Sequence, residues 1–461
     1  MTAVESVGAG VYSVPGEAQP TDPFESVRPA DPDQGWNAAR NLLKSLNHLD
    51  LMRNKDEVAR RLGAMIGEVP GAAGGPLLHH ARAGTNELSA IRETADSLGS
   101  GKATANDEFE SMLSRYATVA HMEFHPTDRC NLACKGCTYG HDVVDAKPDP
   151  VSFPWSQLHR IQDLEPVSIV IVGGGEPTLY KSQGHGFAEM VLELRRILPT
   201  TKFALITNGT YVPDGSWTDE LSWVRLSIDA AHHRTYELVR GRPMLERVMR
   251  GLTRYLDSNI PQVGVSFLYS KFNINEAVPF ARKTFEFVRS RGDDSLPRVN
   301  VQYRPLRVDG DIAAAHFDFA VTRSEILQVA AECEEAVSSD PEFGSFLREQ
   351  TNIRAVAGGN VHPAHDFDRC RYSQIFTILR ANGDLRPCFN RVREPAFLIG
   401  NLISSPLEMI GLKKMRLALI EDTGCNPQNC RQCHVNNVLS RGIKNQLQPS
   451  ASPSVLLDPM F

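Results

Sequence analysis

The chain has 461 residues, 41% of them hydrophobic, enough for two or three domains with sizeable cores. Its 49 basic and 55 acidic residues leave a net charge of −6, which lacks the basic excess that marks a nucleic-acid groove. The start carries acids, prolines and glycines with no basic-then-apolar signal pattern, and nowhere does an apolar run reach a membrane-spanning length. A cytoplasmic protein with neither a nucleic-acid nor a membrane partner is expected. Nine cysteines, an odd number set in short spacings, read as metal or redox ligands and not as disulfides.

Residues 1–35 are rich in Pro, Gly, Ser and Asp without periodicity, which predicts a flexible tail. From 36 to 115 the texture is helical: Val58, Leu62, Met65 and Ile66 make one apolar stripe, and Leu88, Ile91, Ala95 and Leu98 another. The Pro-Gly-Ala-Ala-Gly-Gly-Pro run at 70–76 divides this region. It reads as a helical cap on the next domain, with a substrate lid or docking module as the alternative.

Residues 116–320 alternate short β-branched runs with helical stretches. Strands are predicted at 118–124, 167–172, 203–206, 224–228, 262–268 and 299–303, and helices at 155–163, 185–198, 217–222, 233–256 and 274–291. This pattern predicts an α/β fold in which six β/α units curl into a partial TIM-like barrel. Such folds place reactive groups at the carboxyl ends of their strands.

The first predicted strand runs into His-Pro-Thr-Asp-Arg-Cys-Asn-Leu-Ala-Cys-Lys-Gly-Cys-Thr-Tyr-Gly at 125–140, which sets Cys130, Cys134 and Cys137 in the spacing C-x3-C-x2-C. Three thiols so close suit an iron-sulfur cluster with one iron left open. A structural zinc site is the bland alternative. Gly173-Gly174-Gly175-Glu176-Pro177 follows the second strand, where glycines admit a close approach and a carboxylate can accept from an ammonium group. Thr207-Asn208-Gly209 ends the third strand and Ser227-Ile228-Asp229 the fourth.

The cysteine spacing together with the Gly-Gly-Glu turn resembles the radical S-adenosylmethionine (SAM) enzymes. The resemblance implies a catalytic [4Fe-4S] cluster on Cys130, Cys134 and Cys137, with SAM on its open iron and an electron donor such as flavodoxin or ferredoxin. It implies SAM contacts from Gly174, Gly175, Glu176, Asn208, Ser227 and Asp229, although Asn208 and Asp229 also suit turn or cap roles. Arg304, after the sixth strand, would hold the SAM carboxylate or a substrate, a surface ion pair being the other reading. The family often has an aromatic residue just before the third cysteine. Here that position is Gly136, and Tyr139 is the substitute.

A helical connector is predicted over 321–361, with Cys333 on its buried side. Residues 362–461 then form a second cysteine field. Cys370 and Cys388 bracket a β-hairpin turning at Asn382-Gly383, and Cys425, Cys430 and Cys433 follow as C-x4-C-x2-C. Hairpin, Gly383-x4-Cys388 and late C-x2-C resemble the shortened "twitch" form of the SPASM extension. That resemblance implies a second, auxiliary [4Fe-4S] cluster on Cys370, Cys388, Cys430 and Cys433, with Cys425 spare and a candidate hydrogen donor. A zinc site at Cys425, Cys430, Cys433 and His434, or a c-type haem at Cys430-Arg-Gln-Cys433-His434, is the competing reading. The expected activity is hydrogen abstraction from a small polar metabolite such as a sugar or cyclitol, ending in oxidation. Crosslinking or epimerisation of a precursor peptide is the alternative, and a non-enzymatic Fe-S carrier would not need the Gly-Gly-Glu turn.

Overall fold

The computed structural model describes residues 117–137, 150–292, 296, 298–306, 320–357, 370, 372–392 and 394–419. The predicted tail, the helical region at 36–115, Tyr139 and the three late cysteines lie outside the described residues.

All six predicted parallel strands are present: β1 (His121–Phe124), β2 (Ser168–Ile171), β3 (Lys202–Thr207), β4 (Leu221–Ser227), β5 (Gln262–Tyr269) and β6 (Val299–Pro305), each paired with the next. Helices α1 (Phe187–Ile197), α2 (His233–Arg240), α3 (Leu245–Leu256) and α4 (Ala277–Arg289) fill the connections. The sheet alternates strictly. Ile169, Ile171, Phe203, Leu205, Val224, Leu226, Val263, Val265, Val299 and Val301 are buried in the core that contains the helices' apolar faces. The opposite parity faces the lumen, with a small apolar floor of Val170, Ala204 and Trp223 and polar rungs such as Ser227 beside Ser266. This is the expected partial (β/α)6 barrel.

Three predicted helices differ in kind. Residues 155–164 form a 3-10 helix, Trp155–Leu164, because its buried residues Leu158, Ile161 and Leu164 recur every third position. Ser216–Glu220 is also 3-10, and β4 begins directly after it at Leu221, earlier than predicted. The stretch predicted as one helix over 233–256 is broken into α2 and α3. Gly241 takes φ 72°, a left-handed cap, and Pro243 prevents continuation.

Beyond the barrel, α5 (Arg323–Ser339) starts at a capping box of Thr322 and Glu325 and buries Val329 and Cys333, as the sequence pattern indicated. Helices α6 (Pro341–Glu349), α7 (Ile353–Ala357) and α8 (Tyr372–Ile375) lead to β7 (Phe376–Leu379). Strand β7 lies parallel to β1 on the side away from β2, and β8 (Asp384–Arg386) and β9 (Gly400–Asn401) extend the sheet antiparallel. The hairpin turn falls at 380–383 with Gly383 at φ 89°, where a side chain would be strained. Among the described residues the sheet therefore has nine strands, ordered β9-β8-β7-β1-β2-β3-β4-β5-β6. Helix α9 (Leu407–Leu419) follows, with Lys414 buried and donating to the carbonyl of Thr118, just before β1.

Candidate active site

The carboxyl ends of the strands open into a cleft lined by Cys130, Cys134 and Cys137, by 173–177, by Thr207 and Asn208, and by Ser227, Asp229 and Arg240. The cysteine loop is held in it from two sides. On one side, the Ala133 and Lys135 amides donate to the carbonyls of Arg240 and Val239 (3.2 and 2.9 Å), satisfying groups that the end of α2 would leave unpaired. On the other, the Gly175 and Glu176 amides donate to the Thr127 and Arg129 carbonyls (2.9 and 2.7 Å). A Cβ on Gly175 would lie 2.1 Å from the Arg129 carbonyl oxygen, so the glycine is required by the approach of the cysteine loop itself.

Glu176 is buried, and its carboxylate is engaged by the protein's own donors. Oε1 accepts from the Thr178 amide (3.1 Å), the Thr178 hydroxyl (2.7 Å) and the Thr207 hydroxyl (2.6 Å), and Oε2 from the Asn208 amide (2.7 Å). Burial raises its pKa, and these donors oppose the shift. Asn208 in turn donates to Asn131 Oδ1 (2.8 Å) and accepts from the Thr210 amide and hydroxyl, tying the end of β3 to the residue after Cys130. Thus Glu176 and Asn208 brace the cysteine loop as well as lining the cleft.

Asp229 lies at φ 64°, a region that residues other than glycine seldom adopt. Its Oδ1 accepts from the Leu268 amide (2.7 Å), and its Oδ2 sits 2.6 Å from Arg240 Nη2. Arg240 Nη1 reaches Cys134 Sγ at 3.4 Å. Burial works against the Arg240 charge, but Asp229 and the Cys134 sulfur outweigh it and raise the pKa. Burial also pushes the Cys130 thiol up to about 12 and raises that of Cys134. Bare thiols here would stay protonated, so a cationic metal centre is what would make them thiolates. A charged guanidinium aimed at a sulfur fits a thiolate ligand better than a thiol. The donor set therefore suits the cluster that the sequence implied.

Residues 124–283 match the model of the Radical SAM superfamily. Over that stretch the chain is similar to the radical SAM enzymes. It is 22% identical over 279 residues to the probable GTP 3',8-cyclase of Methanothermobacter thermautotrophicus, covering 59% of this chain and 85% of that protein. It is 24% identical over 175 residues to the GTP 3',8-cyclase of Moorella thermoacetica, covering 36% of this chain and 51% of the relative. Among solved structures, native anSMEcpe with bound AdoMet is 16% identical and covers 71% of this chain and 96% of that one, with a TM-score of 0.45. Streptococcus suis SuiB bound to the precursor peptide SuiA is 13% identical, covering 72% and 71%, with a TM-score of 0.46. That superfamily works with a [4Fe-4S] cluster and SAM, the cofactors that the cysteine donor set described above suits.

Around the cleft, Ser227 lies 3.5 Å from Ser266 across the β4–β5 pair. Arg304 is on the lumen face of β6, its Nη2 donating to Gln302 Oε1 (2.6 Å), and its charge, after burial, helps to lower the pKa of the buried Arg225. It does not line the cleft beside the cysteine loop, as Leu306 does. Cys370 and Cys388 are both partly exposed. The β7–β8 ladder ends at Arg386, and α8 turns the chain between Cys370 and β7, so the hairpin alone does not set the two cysteines opposite each other. Phe389, next to Cys388, lines the cleft. Sequence reasoning missed Arg240, Asn131 and Phe389. The nearest signal for Arg240 was the Gly-Arg-Pro helix stop directly after it.

Proposed function

We propose that this protein is a radical SAM enzyme whose substrate is a small polar metabolite entering the barrel lumen. The observation carrying the reading is the cysteine loop, clamped between the Gly-Gly-Glu turn and the end of α2 at the mouth of a lumen with polar rungs. When bound at Cys130, Cys134 and Cys137, the cluster with SAM supplies reductive cleavage to a 5'-deoxyadenosyl radical, which takes a hydrogen atom from substrate. The chain's residues position these groups. Gly174, Gly175 and the Glu176 turn flank the SAM amino acid, and Ser227 and Asp229 flank the opposite wall. Arg304 and Gln302, on the lumen face of β6 level with and just above Ser227, offer donors to a polar substrate. Relatives named GTP 3',8-cyclase act, by that name, on a nucleotide, which supports a small polar substrate over a sugar in particular. We retain oxidation as the outcome, with an auxiliary cluster on Cys370, Cys388, Cys430 and Cys433 as electron acceptor and Cys425 uncommitted.

The test is anaerobic reconstitution. Wild type should load roughly eight irons per chain and the Cys130→Ala, Cys134→Ala, Cys137→Ala triple variant roughly half of that. Reduced wild type should release 5'-deoxyadenosine from SAM, and a low-molecular-weight metabolite fraction should stimulate release more than a peptide fraction does. Loss of no iron in the triple variant would remove the site, and stimulation by the peptide fraction alone would reverse the substrate class.

A further inference from the structure

Arg240 and Asp229 form a buried charge relay that ends on a cysteine sulfur. The two side chains are 9% and 6% exposed, and their ion pair is 2.6 Å long. Asp229 is fixed by its positive φ and by the Leu268 amide, while Arg240 is fixed as the last residue of α2, with Nε 3.4 Å from the Ile228 carbonyl. Neither side chain has freedom to swing away. The remaining arm of the guanidinium, Nη1, is thereby directed at Cys134 Sγ.

We propose that Arg240 is a positioning residue that sets the reduction potential of the catalytic cluster through its hydrogen bond to Cys134, and that Asp229 sets how much positive charge the cluster feels. The inference rests on the reading of Cys130, Cys134 and Cys137 as the cluster's ligands. The step concerned is a one-electron reduction of the cluster, the electron coming from a low-potential carrier of the flavodoxin or ferredoxin class and, in the test, from dithionite. Reduction adds negative charge at the sulfurs. A donor to a ligating sulfur stabilises the reduced form and raises the potential. A carboxylate paired to that donor lowers it again, and burial leaves both effects little screened by salt. The two residues therefore act with opposite sign.

The experiment is a redox titration followed by electron paramagnetic resonance on reconstituted full-length enzyme without SAM, using the signal that disappears in the triple cysteine variant. Arg240→Met should make that cluster at least tenfold harder to reduce, about 59 mV more negative for one electron. Asp229→Asn should shift it in the positive direction, and Arg240→Lys should fall between Arg240→Met and wild type. If Arg240→Met fails to hold iron, the other two variants still give the sign. Potentials that stay put, or that move together in one direction, overturn the proposal. So does a fall in SAM affinity with an unchanged SAM-free potential, which would make Arg240 a SAM contact. A signal that survives the triple cysteine change would instead overturn the ligand assignment beneath it.

Discussion

Glu176 shows what a motif conceals. Its place in Gly-Gly-Glu-Pro was legible as a cofactor turn, and the turn does line the cleft. Two of its four protein donors were not legible, because Thr207 and Asn208 lie at the end of the next strand and only the β2–β3 pairing brings them near. Replacing the carboxylate by an amide would turn one oxygen into a donor facing either the Asn208 amide or the threonine hydroxyls. Leaving such buried donors unmatched costs about 1–3 kcal/mol. Glu176→Gln should therefore lower the melting temperature and weaken SAM binding together, measured by thermal unfolding and by equilibrium binding to reconstituted enzyme. Weakened SAM binding at unchanged stability would show that the carboxylate serves the ligand alone.

At the scale of elements, the strands were readable because their outward-facing β-branched residues are buried under helices, while the helices were readable only where apolar spacing and stop signals agreed. Residues 233–256 carry one continuous amphipathic pattern, yet Gly241-Arg242-Pro243 interrupts it. The interruption serves the site: a Cβ on Gly241 would lie 2.2 Å from the Ala133 carbonyl oxygen, inside the cysteine loop. Gly241→Ala should displace that loop and reduce iron at the catalytic cluster. Gly292 is the control, since it also has positive φ (110°) but no atom within 4 Å of an added Cβ. Both substitutions should cost about 1 kcal/mol of backbone strain, seen in denaturant unfolding. Only Gly241→Ala should lose iron, and equal iron in the two variants would separate the glycine from the site.

At the scale of the whole molecule, the hairpin of the C-terminal segment was readable from Asn382-Gly383, but its attachment to the barrel was not. Three apolar residues and a threonine, Phe376–Leu379, carry no sequence mark that says which edge they join; the sheet order places them on β1. Helix α9 reinforces that junction through Lys414, whose ammonium is buried against the Thr118 carbonyl (2.9 Å). Burial lowers its pKa from 10.5 to about 7. Between those values the unfolded chain binds a proton that the folded chain does not, so this group makes stability rise with pH from about 7 toward 10.5. Below pH 7 both states are protonated and the penalty of burying the charge is complete. Lys414→Met removes the titration at the cost of one hydrogen bond. Urea unfolding at about pH 7 and about pH 9.5 should show wild type gaining on the variant by on the order of 3 kcal/mol across that interval. Parallel pH dependence in the two proteins would mean that Lys414 reaches solvent and that α9 does not seal the start of β1.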